Sequence, residues 1–157
     1  MYLKDKFNVI NQRVWQSESL PAKISLDEIK SLENYAIENE IRQFRYCLQP
    51  NNQDPMQQMI IFHSYPQVIN WHCQPKGGLV FYYVIKGQID IILNSSPKQT
   101  IRLAATNNYA EENYSTMVTI QKEIYRRIST NSQNSIFIEI SSGTFADSDT
   151  VWKSSMD

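Results

Sequence analysis

The residues of this chain best suited to metal binding or proton transfer are its two histidines, His63 and His72. His72 lies in the run Trp71-His72-Cys73-Gln74 at the end of a predicted strand. Because alternate residues of a strand point to the same side, we expect His72 and Gln74 to face one way and Cys73 the other. His72 is therefore the candidate metal ligand or acid–base group, with Cys73, Gln74 and His63 as possible helpers. A histidine-rich metal site is excluded by the count, and the alternative for each histidine is an ordinary hydrogen-bonded side chain.

Five aromatic residues of the predicted strands could form a stacking surface for a sugar. The alternative is that they are plain core, which is the commoner role of aromatic residues in strands. The set consists of Trp71, Phe81, Tyr82, Tyr83 and Tyr125.

The elements that must position these residues begin with one helix. Ser25 stands three residues before Glu28, the capping-box pattern that starts a helix. Apolar residues then recur at helical spacing, so a helix is predicted over residues 26–37. They are Leu26, Ile29, Leu32, Tyr35 and Ala36.

From residue 41 onward the pattern changes to alternating apolar and polar positions rich in β-branched and aromatic residues. Many short strands without helical crossovers indicate an antiparallel sandwich or barrel. In the last strand, alternation places Ile136, Ile138 and Ile140 on one face and Glu139 on the other. The predicted strands are Gln43–Leu48, Met56–His63, Val68–His72, Leu79–Ile85, Gln88–Leu93, Gln99–Ala105, Thr116–Gln121, Ile124–Ser129 and Ser135–Ile140.

Composition and charge narrow the class of protein. The chain has 157 residues, is 41% hydrophobic and 20% charged, and carries a formal net charge of -1, which fits one globular domain and argues against a nucleic-acid partner. The densest cationic spot is Arg126-Arg127. No apolar run approaches the roughly 20 residues of a membrane helix, and no apolar segment follows Met1–Ile10 as in a signal peptide. We therefore expect no membrane partner and a cytoplasmic location.

The segment Val68–Leu93 reads strand, short polar loop, strand, tight turn at Gly87, strand. This layout resembles the first motif of the cupin superfamily, in which two histidines one residue apart precede a glutamate and then a glycine. The wider chain is similar to the WbuC-type cupins, a family linked to surface-polysaccharide (O-antigen) biosynthesis. The supporting stretches are Arg45-Tyr46-Cys47-Leu48, Asp54–Ile61, and the tail from Ser142-Gly143-Thr144-Phe145 to Val151-Trp152. The resemblance covers most of residues 14–157.

The resemblance implies an all-β cupin barrel (a double-stranded β-helix or jelly roll) with one N-terminal helix. Residues 1–40 would form a strand and helix extension that packs on the barrel, and residues 41–157 the barrel itself. Such barrels pair through edge strands, and Met1–Gln16 could supply one more strand, so a homodimer is expected.

The departures from the cupin motif concern its metal ligands. Aligned on Gly87, the histidine pair falls at His72 and Gln74, the glutamate at Val80 and the last histidine near Arg126. Valine offers no ligand atom and arginine brings a permanent positive charge, so the usual metal site is predicted to be lost. We expect no cofactor, and the alternative is a divalent metal held at His72. One extra residue after Gln74 leaves open a shift of one position, which would exchange inward and outward residues.

On this alignment Arg126 enters the barrel where a metal ligand would be, and its guanidinium could bind a carboxylate or phosphate through two hydrogen bonds. Arg45 and Glu139 could join it or neutralise it. The alternatives are that Arg127 points inward instead, or that both arginines lie at the surface. The predicted ligand-binding residues are His72, Gln74, Arg126, Tyr82, Trp71 and Arg45.

Two functions remain open from the sequence. The first is a non-metal cupin that binds a small polar molecule, such as a sugar or nucleotide-sugar, in connection with surface-polysaccharide synthesis. The second is an enzyme, either metal-dependent or a sugar isomerase or epimerase that uses His72 as acid or base. The isomerase needs a second proton-transfer group, and no residue can be placed opposite His72 from the sequence, so the catalytic residues stay unassigned.

Overall fold

The computed structural model describes residues 7–106, 113–144 and 146–156. All nine predicted strands and the helix are present, each ending within two residues of its predicted bounds. Residues 1–6 of the predicted N-terminal strand region and Phe145 of the tail lie outside the described residues. The elements are β1 (Phe7–Asn11), β2 (Val14–Ser17), α1 (Leu26–Glu38), β3 (Gln43–Cys47), β4 (Met56–His63), β5 (Gln67–Cys73), β6 (Leu79–Lys86), β7 (Gln88–Leu93), β8 (Gln99–Ala104), β9 (Met117–Gln121), β10 (Arg126–Thr130), β11 (Ser135–Ser142) and β12 (Val151–Lys153), with one 3-10 turn at Asp147–Asp149.

The strands form two sheets. Seven strands pair in the order β1-β2-β3-β4-β11-β6-β9, and five in the order β12-β5-β10-β7-β8. The paired strands run antiparallel except β2 and β3, which are parallel. Strand β1 is an edge of the larger sheet, and β12 is an edge of the smaller one.

Apolar clusters cover both faces of the larger sheet. The inner cluster joins the two sheets and includes Val80, Ile91, Ile128 and Phe137. The outer cluster lies between the larger sheet and α1 and includes Trp15, Leu32, Phe44 and Ile136. The larger sheet therefore has a buried inner face and an outer face that α1 covers in part.

Helix α1 starts as the sequence predicted. The Ser25 hydroxyl accepts from the backbone of Glu28, and the Glu28 carboxylate accepts from the backbone of Ser25, at 3.2 and 2.7 Å. This pair satisfies amide donors that the first turn leaves free. None of the helices in the described ranges has the length and apolar content that crossing a bilayer requires.

The alternation predicted for β11 is present, but the isoleucine face is not the barrel interior. Ile136 and Ile138 pack in the outer cluster beneath α1, whereas Phe137 packs between the sheets. Glu139 shares the inner face with Phe137 and lines the cavity described below. A second core on the outside of the sheet explains why the more apolar face of this strand points outward.

Candidate functional site

A cavity of about 330 Å³ lies between the two sheets, beside β12 and the end of β1. Its walls come from both sheets, and they carry charged, amide and apolar side chains. The lining residues are Ile10, Asn11, Val14, Arg45, Cys47, Gln49, Asn52, Gln57, Met59, Ile61, Ile69, His72, Gln74, Arg126, Glu139, Ser141, Thr150 and Trp152.

A β-bulge in β5 aims His72 into this cavity. On β10 the step from Arg126 to Ile128 covers two residues, but their partners on β5, His72 and Ile69, are three residues apart. The extra residue reverses the alternation, so Ile69 and His72 both face inward. Gln74, two residues later, lines the cavity, and Cys73 does not.

Arg126 has no solvent exposure and is among the residues that line the cavity. Its Nε donates to the Tyr82 hydroxyl at 2.8 Å. The outer nitrogens are bound more weakly, Nη1 to the Lys122 carbonyl at 3.4 Å and Nη2 to Gln74 Oε1 at 3.5 Å. These last two distances lie at the limit for a hydrogen bond, so the outer edge of the guanidinium retains donor capacity.

The charges around Arg126 leave the cavity with an excess of positive charge. Within the described residues, no carboxylate lies within ion-pair distance of Arg126. Burial opposes its charge, but Tyr82 and Glu139 favour it, and the pKa of Arg126 stays above its ordinary value. Arg45 lines the same cavity, and its side chain makes no ion pair or hydrogen bond to another described residue. Two guanidinium groups thus face one lining carboxylate, Glu139.

His72 is neutral at physiological pH. Burial first, and then the charge of Arg126, lower the pKa of His72 from 6.5 to about 4. Its Nδ1 lies 2.8 Å from the Asn70 carbonyl oxygen, which only accepts, so Nδ1 carries the proton. Nε2 is then the nitrogen with the free lone pair, able to accept a proton or a hydrogen bond.

The cavity wall beside β12 is formed by Trp152. In the sheet Trp152 pairs with His72, and the two ring centroids are 5.1 Å apart with planes tilted by 34°. Trp152 is 56% exposed, unlike Trp15 and Trp71, which are 1% and 6% exposed.

The structure separates the predicted ligand-binding residues into two groups. His72, Gln74, Arg126 and Arg45 line the cavity. Tyr82 lies behind Arg126 in the inner core, and Trp71 lies outside the lining with the Lys98 ammonium 5.2 Å from its ring centroid. The binding of a ligand by each of these residues stays a prediction.

His63 is not part of the cavity wall. It is buried beside Phe137, with Nδ1 3.3 Å from the Thr130 hydroxyl. Burial lowers the pKa of His63 to about 4, with a smaller effect from the charge of Arg45. It is not placed to help His72.

The four cupin ligand positions do not form a metal-binding set here. Val80 is buried in the inner core, Arg126 presents donors only, and Gln74 is directed at Arg126. Across the described ranges no group of three His, Cys, Asp or Glu side chains is arranged to hold a metal ion. A cation at His72 would also lie beside the guanidinium of Arg126, its pairing partner across β5 and β10.

Glu139 and Trp152 are lining residues that the predicted binding set omits. The pattern of β11 did place Glu139 opposite the isoleucines, but it did not say which face was inside. Trp152 belongs to a tail without a strand pattern long enough to recognise, and only its pairing with β5 brings it to the cavity.

No family model matches the sequence, and no curated protein matches it. Solved structures do match. A structural-genomics target from Shewanella oneidensis is similar with 13% identity and a TM-score of 0.54, over 64% of this chain and 63% of that one. Oxalate decarboxylase from Bacillus subtilis is similar with 8% identity and a TM-score of 0.51, over 64% of this chain and 24% of that one. A cupin-superfamily protein from Desulfitobacterium hafniense matches with 12% identity and a TM-score of 0.49, over 64% of this chain and 76% of that one.

The matched region spans less than two thirds of the Shewanella protein and about a quarter of the decarboxylase. Sequence identities this low show similarity of fold alone. Membership of the WbuC-type family therefore stays a prediction. Two mostly antiparallel sheets around a cavity, with one helix outside, are what the predicted fold class requires. The chain therefore has a cupin-type β-barrel fold.

Proposed function

We propose that the protein binds a small anionic polar molecule in the barrel cavity, with Arg126 as the anion contact. The observation that carries this proposal is the fully buried guanidinium of Arg126. Its two outer nitrogens make only weak hydrogen bonds, and no carboxylate of the described residues lies within ion-pair distance of its charge. Tyr82 and Glu139 favour this charge, but without a directly paired carboxylate the guanidinium lacks the short charge-assisted hydrogen bonds that hold a buried cation best. A ligand carboxylate or phosphate would supply the missing counter-charge through two hydrogen bonds.

The size of the cavity limits the ligand. About 330 Å³ lies near the lower end of the roughly 300–1,000 Å³ of small-molecule sites. A single sugar unit or a small carboxylic acid fits this space, whereas a nucleotide-sugar would have to leave its nucleotide outside the mouth. The resemblance to the WbuC-type cupins supports a ligand from surface-polysaccharide biosynthesis, and that connection is part of the proposal.

Calorimetric titration of the purified protein with glucuronate, inorganic phosphate and glucose tests the proposal. We expect an anion to bind and neutral glucose to bind much more weakly. Arg126→Gln should weaken anion binding by at least about tenfold, because charged hydrogen bonds contribute about 1.5–3 kcal/mol. Arg127→Gln is the matched control, since Arg127 is the neighbour of Arg126 on β10 and does not line the cavity. Equal binding of glucose, or an unchanged affinity in Arg126→Gln, would contradict the proposal.

A second function, proton transfer on a sugar, is supported by the positions of His72 and Glu139. The two side chains line the cavity from opposite sheets, His72 from β5 and Glu139 from β11. His72 has a free lone pair at Nε2, and a carboxyl group across the cavity can complete an acid–base pair, as an isomerase or epimerase needs. Its pKa of about 4 makes His72 a weak base until a bound anion offsets the charge of Arg126. Incubation of candidate sugars in heavy water, followed by NMR, would detect exchange at the carbon next to the carbonyl. Exchange that survives in both His72→Gln and Glu139→Gln would exclude this pair.

The homodimer, the cytoplasmic location, the absence of nucleic-acid partners and the division at residue 40 stay predictions. The edge position of β1, with Val9 and Ile10 exposed, supports a dimer through this strand. Light scattering on a size-exclusion column would measure the oligomeric state.

A further inference from the structure

Trp152, Arg126 and His72 form one row across the smaller sheet. Trp152 pairs with His72, and His72 pairs with Arg126, on the adjacent strands β12, β5 and β10. All three side chains line the cavity. With neighbouring strands about 4.8 Å apart, the backbones at the two ends of the row are roughly 10 Å apart. A molecule that lies along this row meets a cation at one end, a neutral imidazole in the middle and an aromatic ring at the other end.

The exposure of Trp152 is not explained by packing within the chain. Its side chain is 56% exposed on a three-residue edge strand, although burial of a tryptophan in a core is favourable. The indole lies against the His72 ring, lines the cavity and leaves more than half of the residue's surface exposed. An exposed indole beside a polar cavity is the arrangement that receives the apolar face of a ligand ring.

The polar groups between the two ends decide what kind of ring fits. His72, Gln74 and Glu139 all line the cavity and offer hydrogen-bonding atoms to its contents. A purely aromatic or aliphatic ring would bury these atoms without partners, at about 1–3 kcal/mol for each unsatisfied group. Sugar hydroxyls would satisfy them, and the C–H face of the sugar ring would pack on the indole.

We infer that the cavity takes a sugar acid, whose carboxylate binds Arg126 and whose ring packs on Trp152. This inference rests on the proposed function, because it adds a ring site to the anion contact at Arg126. It assigns Trp152 a role in ligand binding that the predicted set, with Trp71 as its tryptophan, does not include.

Tryptophan fluorescence tests the inference directly, because Trp152 is the exposed member of the three tryptophans and Trp15 and Trp71 are buried. Glucuronate should protect the protein from acrylamide quenching and shift its emission to shorter wavelength. In Trp152→Leu the affinity for glucuronate should fall by about tenfold, the upper range for an aromatic contact, while the affinity for acetate should be unchanged. Trp15→Phe is the matched control, because Trp15 is buried in the outer cluster and does not line the cavity, and it should keep both the quenching response and the affinity. Circular dichroism would verify the fold of each variant, and Trp152→Phe, which keeps an aromatic face, should restore most of the binding.

The outcomes separate this inference from the proposed function. Glucuronate binding that depends on Arg126 but is unchanged in Trp152→Leu would overturn the inference and leave the anion site standing. Benzoate binding as tightly as glucuronate would overturn the assignment of a sugar. Loss of binding in Trp71→Phe with Trp152→Leu unaffected would favour the tryptophan predicted from sequence and overturn the role of Trp152. If neither acetate, phosphate nor glucuronate binds, the proposed function fails and the inference fails with it.

Discussion

Replacement of Arg126 by methionine tests whether this buried cation is retained for a ligand or for the fold. Methionine is unbranched and apolar and occupies much of the same volume, so the change should leave little cavity. It removes the charge and the 2.8 Å hydrogen bond from Nε to the Tyr82 hydroxyl. The measured quantity is the free energy of unfolding at pH 7.

Two opposing effects set the magnitude. The Tyr82 hydroxyl, fully buried, loses a partner, which costs about 1–3 kcal/mol if nothing replaces it. Glu139 also interacts with this hydroxyl as a hydrogen-bonding partner and limits that loss. Against it stands the desolvation of a buried cation without an ion-pair partner among the described residues, a cost that the interactions with Tyr82 and Glu139 offset. We therefore expect the free energy of unfolding to fall by about 1–3 kcal/mol, the cost of the lost hydrogen bond.

Urea unfolding followed by far-UV circular dichroism measures this difference, with Arg127→Met as the matched control from the same strand. Addition of glucuronate should stabilise the wild-type protein and Arg127→Met but not Arg126→Met, because a ligand stabilises only a state that binds it. A loss of about 3–5 kcal/mol in Arg126→Met is the cost of breaking a compensated buried pair. That result would refute the reasoning, since it would mean that Arg126 is already neutralised within the fold.

Two further predictions follow from the histidines and the turns. His63 and His72 have pKa values near 4 in the folded protein, against 6.5 for an ordinary histidine. On acidification the unfolded chain therefore takes up protons before the folded protein does. The free energy of unfolding should be highest above about pH 6.5 and should fall towards pH 4, by up to roughly 3 kcal/mol for each histidine. Urea midpoints at pH 7.5 and 4.5 should therefore differ less in His63→Gln than in wild type, and an equal difference would contradict this origin. Gly87→Ala should destabilise by about 1–3 kcal/mol, because φ is +76° and a new Cβ would lie 2.6 Å from the Ser132 hydroxyl. Gly143→Ala is the control, because φ there is also positive (+87°) but no atom lies within 4 Å of a new Cβ. Thermal unfolding should show a smaller loss of stability in Gly143→Ala than in Gly87→Ala. Equal losses would show that the contact with Ser132 has no effect.

Local pattern was sufficient for the helix and for nine of the twelve described strands, β3 to β11. The capping pair Ser25 and Glu28 marked the start of α1, and alternation marked β4 and β7 at the bounds that the structure shows. These features depend on neighbours a few residues apart, so they can be read from one sequence. The many short strands without crossovers also predicted an all-β barrel, and the fold confirms it.

The structure brings four of the predicted ligand-binding residues to one cavity: His72, Gln74, Arg126 and Arg45. Their role in binding a ligand stays a prediction. The sequence predicts Trp71 as part of an aromatic surface on which a sugar could stack. The bulge in β5 changes the alternation before His72, and Trp71 does not line the cavity.

What the sequence determined by itself is nine of the twelve described strands, the helix and the all-β fold class. The loss of the cupin metal site stays a prediction. Only the tertiary structure decided which face of β11 is the interior, because the outer cluster under α1 buries Ile136 and leaves Glu139 to the cavity. Only the pairing of β12 with β5 decided that Trp152 stands beside His72, 80 residues away in the chain. The physical reason is that either face of a strand can be buried, and that a terminal segment can pair with any of several strand edges. The choice among them depends on how apolar surface from distant segments is buried together, and no short stretch of sequence contains that information.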